Sequence, residues 1–188
     1  MRGQSVEQIR DPGPRARAFT LVEVLVVVLI LAIASAVILP QVSGQDDMSA
    51  AAAARTVMGD LLYAQNRAIA LQRYEYVVFN QAGQNYTLYD GTSAGPTTTP
   101  LTHPINGISY VMTFGQAGAN NVSSNVTLGS VSFNGQSTIA FDETGVPYFY
   151  SSGTTPQTLS GTGSINLTSG NYSVTLSVAQ DTGEITVN

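Results

Sequence analysis

Three patterns of apolar and polar positions follow one another along the chain. Residues 1–18 are polar and contain the helix-breaking stretch Asp11-Pro12-Gly13-Pro14. From Phe19 to Leu39 the side chains are almost all apolar, with Thr20, Glu23 and Ser35 the exceptions. These 21 residues extend about 30 Å as a helix, enough to cross a bilayer. After Pro40 and Gly44 the period becomes helical. Ala50–Ala54 has high helix propensity. Ala54, Val57, Met58, Leu61, Leu62, Ala68 and Ile69 recur at three-to-four spacing, as one apolar stripe that packs on a sheet. Pro40 lacks an N–H and clashes with the preceding turn, so Phe19–Arg73 is expected as one helix bent there.

After Arg73 the period changes from helical to alternating. Tyr74–Phe79 and Asn85–Tyr89, joined through Gln81-Ala82-Gly83, read as a β-hairpin. Further strands are expected over Ile108–Phe114, Val126–Phe133, Thr138–Phe141, Pro147–Tyr150 and Tyr172–Val178, with Gly183–Val187 as the hairpin partner of the last. Residues 91–107 and Ser151–Gly163 read as loop and linker, being rich in Pro, Gly, Ser and Thr. The fold class expected is α+β, a long N-terminal helix on an antiparallel β-sheet head. Its divisions are 1–18, 19–39, 40–73 and 74–188.

Composition limits the chemistry. Only 10% of residues are charged, against roughly 25% in an average soluble protein. There is no cysteine and no lysine, and His103 is the single histidine. That excludes disulfides, thiolate nucleophiles, Schiff-base chemistry and multi-histidine metal sites. No enzymatic activity and no cofactor is expected.

The placement of charge says more. Arg2, Arg10, Arg15 and Arg17 precede the apolar run, and no Lys or Arg follows Arg73. The arginines put the N-terminus on the cytoplasmic side of a membrane and the C-terminal domain outside it. A domain without cations cannot release phosphate counterions, so nucleic-acid binding by the head is disfavoured. Glu23 lies inside the apolar run, where a carboxylate costs roughly 2.5–3.5 kcal/mol on insertion scales and requires a partner.

The segment Arg17-Ala18-Phe19-Thr20-Leu21-Val22-Glu23-Val24-Leu25 resembles the type IV pilin and type II secretion pseudopilin superfamily. The resemblance implies a leader, residues 1–18, removed between Ala18 and Phe19 by a prepilin peptidase that also methylates the Phe19 amine. It implies that Glu23 pairs with a subunit's terminal amine during filament assembly. Ala18 departs from the pattern, which usually has glycine before the cut. Leu61–Ala70 leading into Tyr74–Phe79, the Ile139–Gly145 strand and turn, and the Val178–Ile185 hairpin resemble GspH/FimT-type minor pseudopilins in particular.

The implied protein is a minor pseudopilin of a type II secretion system, anchored in the bacterial inner membrane with a periplasmic head. Its implied partners are the peptidase, other major and minor pseudopilins, the inner-membrane assembly platform and the bilayer. A minor type IV pilin serving pilus assembly, adhesion or DNA uptake is the alternative. A secreted β-domain cut after Ala36, at Ala34-Ser35-Ala36, is a third reading. Asp142, Glu143, Asp181 and Glu184 are the only acidic clusters of the head and weak calcium candidates. Asp before Thr-Gly is also ordinary turn chemistry, and that reading is preferred. His103 reads as a solvated loop residue, and the tyrosines as sheet packing.

Overall fold

The computed structural model describes residues 19–42, 45–116, 118 and 120–188. The leader, including Ala18, lies outside them, as does Gly44. The chain divides into two compact units, Met1–Ser43 and Gly44–Asn188.

The first unit contains α1, Leu21–Val42. Thr20 caps it: its Oγ1 accepts the Glu23 N–H at 3.2 Å, and its carbonyl accepts the Val24 N–H. α1 runs through Pro40, so the helix does not stop at the proline. The sequence pattern gave one bent helix over Phe19–Arg73. Within that span the described helices are α1 and α2, Gln45–Leu71, and residues 43–44 between them lie outside the described residues.

In the second unit α2 packs on two sheets. Its buried face is Ala50, Ala53, Ala54, Val57, Leu61, Ala64 and Ala68. Small side chains there let the backbone approach the sheets closely. Met58 and Leu62 are partly buried at the margin, whereas Ile69, expected on the stripe, is exposed. α2 ends in a left-handed turn: Gln72 has φ 50°, and the Arg73 N–H bonds the Ala68 carbonyl at 3.2 Å, as in a Schellman motif.

The strands are β1 Tyr74–Asn80, β2 Asn85–Thr92, β3 Gly95–Pro100, β4 Val111–Phe114, β5 Asn121–Ser123, β6 Thr127–Ser132, β7 Thr138–Phe141, β8 Pro147–Phe149, β9 Gln157–Thr158, β10 Gly163–Ser169, β11 Tyr172–Val178 and β12 Ile185–Val187. One sheet has the order β5-β4-β2-β1-β7-β8-β9, with β3 also on β2. The other is β12-β11-β10-β6. The expected hairpins β1–β2 and β11–β12 are present and antiparallel.

Several expectations are corrected. The region 91–107, read as loop, contains β3, whose Pro96 and Pro100 are tolerated because only β2 flanks it. Gln157–Thr158 within the expected linker adds β9. β10 was not foreseen, although its burial alternates cleanly through Gly163, Ile165, Leu167 and Ser169. β5 pairs with β4 in parallel, so the first sheet is mixed rather than wholly antiparallel.

The two sheets are joined by glutamines of the β1–β2 turn. Gln84 donates through Nε2 to the Leu128 carbonyl at 3.0 Å and accepts the Leu128 N–H through Oε1 at 2.7 Å. Its amide therefore acts as a one-residue strand on the edge of β6. Gln81 Nε2 donates to the Gly129 carbonyl beside it. Beneath this seam Phe79 packs against Tyr86 and Phe133, and Tyr86 against Phe114. Gln84→Ala strands a buried strand-edge pair and is expected to cost about 1–3 kcal/mol. Denaturant unfolding of the full chain in detergent measures it, and an unchanged midpoint contradicts the seam.

Candidate functional site

The N-terminal segment is built around the cap of α1. Thr20-Leu21-Val22-Glu23 has the spacing of a capping box, a signal the sequence carried beside its apolar run. The cap places Glu23 on the first turn, with its side chain exposed. A carboxylate there also meets the positive end of the helix dipole. Around it the apolar side chains stand uncovered, Phe19 at 79% and Leu21 at 81% exposed. The exposed residues run round the helix rather than along one stripe, so no single face is reserved for a core. Burying each large aliphatic side chain is worth about 1.5–3 kcal/mol, so this surface is driven strongly to find lipid or other helices. Among the described residues, no helix is long and apolar enough to cross a membrane. In α1 the side chains described reach only Ser35. As a backbone element α1 has 22 residues, about 33 Å.

The acidic turns are brought together, but by an amide. Gln65 of α2 donates through Nε2 to the Gly145 carbonyl at 2.8 Å and to the Thr182 carbonyl at 3.2 Å. The turns fit tightly. Gly145 has φ 85°, and a Cβ there would lie 2.7 Å from Ile69 Cδ1. Gly183 has φ 66°, and a Cβ there would lie 2.5 Å from Gln65 Nε2. Asp142 Oδ1 accepts from the Thr144 N–H at 2.9 Å, the Thr144 hydroxyl at 2.7 Å and the Val146 N–H at 2.9 Å. It holds its own turn. Glu143, Asp181 and Glu184 are exposed. Among the described residues, no group of three or more possible metal-ligating side chains is assembled.

Two charged clusters escaped sequence reading, because strand register assembles them. Asp60 on α2 accepts the hydroxyls of Tyr86 and of Tyr110, the latter at 3.0 Å. Burial pushes the Asp60 carboxyl above its ordinary range, against these hydrogen bonds. His103 is no solvated loop residue: its ring packs on Tyr110 with centroids 4.3 Å apart. The second cluster joins Arg67, Arg73, Glu75 and Asp90 at the corner between α2 and β1. It holds both arginines of the C-terminal part of α2 and its turn against carboxylates. Tyr74 and Tyr76 stack along β1, and they pack on Tyr148 and Tyr150 from outside that strand, with centroids 5.3–6.3 Å apart.

The description "Prokaryotic N-terminal methylation motif" matches residues 13–39. Among curated proteins, none matches the chain by sequence. Of solved structures, the chain is similar to the minor pseudopilin EpsH of the type 2 secretion system of Vibrio cholerae. Identity is 10%, coverage 74% of this chain and 96% of that one, and the TM-score 0.49. It is also similar to the type IV minor pilin FimU of Pseudomonas aeruginosa, at 15% identity, 74% and 87% coverage and a TM-score of 0.47.

The turn geometry gives a direct expectation. Asp142→Ala removes three hydrogen bonds and costs the head about 1–3 kcal/mol in calcium-free buffer, measured by thermal or denaturant unfolding. Added calcium leaves the wild-type midpoint unchanged. A midpoint that rises with calcium and loses that response in Asp142→Ala means that the turn is an ion site.

Proposed function

We propose that this chain, whose residues 13–39 match the prokaryotic N-terminal methylation motif, is a member of the type IV pilin and pseudopilin superfamily and a minor pseudopilin of a type II secretion system. The observation that carries the proposal is the motif together with Glu23, an exposed carboxylate in the first turn of an otherwise apolar helix. The chain is inserted in the inner membrane by its Phe19–Leu39 segment, with the arginine-bearing end in the cytoplasm and the head in the periplasm. Prepilin peptidase cuts between Ala18 and Phe19 and methylates the Phe19 amine. Removal of the leader leaves Phe19 one residue before the helix cap, so the new amine sits at the start of the helix.

In the assembled filament α1 leaves lipid for the equivalent helices of major and minor pseudopilins, at the inner-membrane assembly platform. Apolar contact supplies the attraction without fixing register. Glu23 supplies register, because an ion pair in a medium of low dielectric is worth far more than in water. Pro40, near the end of α1, marks where the filament-core helix gives way to α2. The role is structural rather than catalytic: the head offers packing and hydrogen-bonded turns.

The methylation motif is common to secretion and pilus subunits, so a minor type IV pilin is the second reading. For DNA uptake it lacks the required charge. The head has no Lys or Arg from Tyr74 onward, and Arg67 and Arg73 are paired with carboxylates.

Glu23 combines a position at capping-box spacing from Thr20 with a charge that can pair with an amine, and two variants separate them. Glu23→Gln keeps the hydrogen-bonding shape of a capping box but has no charge, whereas Glu23→Ala has neither. Both are expected to remain in the membrane with a folded head and to drop out of sheared or cross-linked filament fractions. Normal incorporation of Glu23→Gln would overturn the pairing role.

A further inference from the structure

The buried corner between α2 and β1 contains more negative charge than its geometry satisfies. Glu75 lies on β1 directly opposite Asp90 on β2, an arrangement of like charges that opposes strand pairing. The Glu75 side chain is 1% exposed. Its Oε1 accepts from Arg73 Nε at 3.2 Å and lies 3.4 Å from Arg67 Nε. Its Oε2 is buried without a hydrogen-bond partner, and so is Arg67 Nε. Asp90 receives the better contacts. Its Oδ1 accepts from Arg67 Nη2 at 2.9 Å and from Arg73 Nη2. A buried ionised carboxylate with an oxygen that meets no donor is far costlier than the neutral carboxyl group of the same shape.

We propose that Glu75 holds a proton while the α2–β1 corner is closed, and that release of this proton loosens the corner, making it a pH-sensitive joint. The charged groups facing Glu75 are Arg67 from α2, Arg73 from the turn and Asp90 from β2. β7, its other neighbour, presents Phe141 at the opposing position. Burial is the largest influence and raises the Glu75 carboxyl to about 7. Arg67 opposes the rise, while the negative charge of Asp90 adds to it.

The sign follows by linkage. Opening the corner solvates Glu75 and returns it toward the ordinary glutamate value of roughly 4.3. The closed corner therefore binds more protons than the open one between that value and about 7. Closure is favoured at the acid end of this window and weakens as pH rises through it. The element that moves is short. Gln72 stands in the left-handed region at φ 50°, and its Nε2 ties the turn to the carbonyls of Ile69 at 2.8 Å and Glu143 at 3.0 Å. Opening the corner strains those two bonds and the Ala68–Arg73 backbone bond beside them, which protects the Arg73 amide while the corner is closed.

The test uses the full chain in detergent micelles. Carboxyl carbon NMR follows Glu75, and amide hydrogen exchange, corrected for intrinsic rates, follows residues 72–74. Glu75 is expected to titrate near 7, and exchange at the corner to rise on the order of tenfold or more from pH 5.5 to pH 8, as linkage gives for a group whose midpoint drops when the corner opens. Glu75→Gln, a neutral isostere, should keep exchange slow at both pH values. Asp90→Asn removes the like charge, so the Glu75 midpoint should fall. A Glu75 midpoint in the ordinary carboxylate range overturns the proposal. Corner exchange that rises equally in wild type and Glu75→Gln does so too.

Discussion

Small side chains along one face of α2 let its backbone approach two β-sheets at once, and the head is organised around that contact. Ala50, Ala53, Ala54, Ala64 and Ala68 are fully buried, with Val57 and Leu61 as the larger residues among them. A larger residue at an alanine position would push the helix away from both sheets. The approach also sets what lies at the ends of the helix. Gln65 reaches the turns after β7 and β11, and Ser169 of β10 donates to Asp46 in the first helical turn at 3.2 Å. Arg67 reaches the β1–β2 pair. Polar residues just off the apolar stripe thus become the connections of the head, because the helix is already held close.

Charge is used sparingly, and two of its settings stand in contrast. Glu23 is an exposed carboxylate on a helix whose apolar surface is uncovered. Within this chain it has a cap to belong to, but no cation among the described residues is paired with it. Arg67 and Arg73 are in the opposite position. They are cations of a nearly cation-free head, and two carboxylates of neighbouring strands face them. That leaves the outer surface of the head almost without positive side chains, and it concentrates electrostatic tension at one buried corner.

Much of this was legible in the sequence, and the exceptions have physical reasons. The apolar run and the alanine-rich stripe gave α1 and α2, because both signals are local and strongly periodic. The alternation of Tyr74–Phe79 and Tyr172–Val178 gave their hairpins. β10 was missed because Gly163 and Ser169 occupy buried positions that hydrophobic alternation does not mark. β3 was missed because its prolines read as loop, although a strand flanked on one side tolerates them. Asp142 accepts three hydrogen bonds within its own turn. The Thr20 cap, three residues before Glu23, was visible but overshadowed by the carboxylate's apolar surroundings. The Arg67–Arg73–Glu75–Asp90 and Asp60–Tyr86–Tyr110 clusters could not be read at all, since register and helix placement, not spacing along the chain, bring them together.

The central claim is that the chain becomes a filament subunit by exchange of its leader for a free amine at Phe19. The most direct measurement is the mature N-terminus of the protein extracted from membranes, read by N-terminal sequencing and intact mass. The account predicts a chain that begins at Phe19 and carries one methyl group on its amine. A soluble chain beginning at Val37, having discarded Glu23, would contradict it.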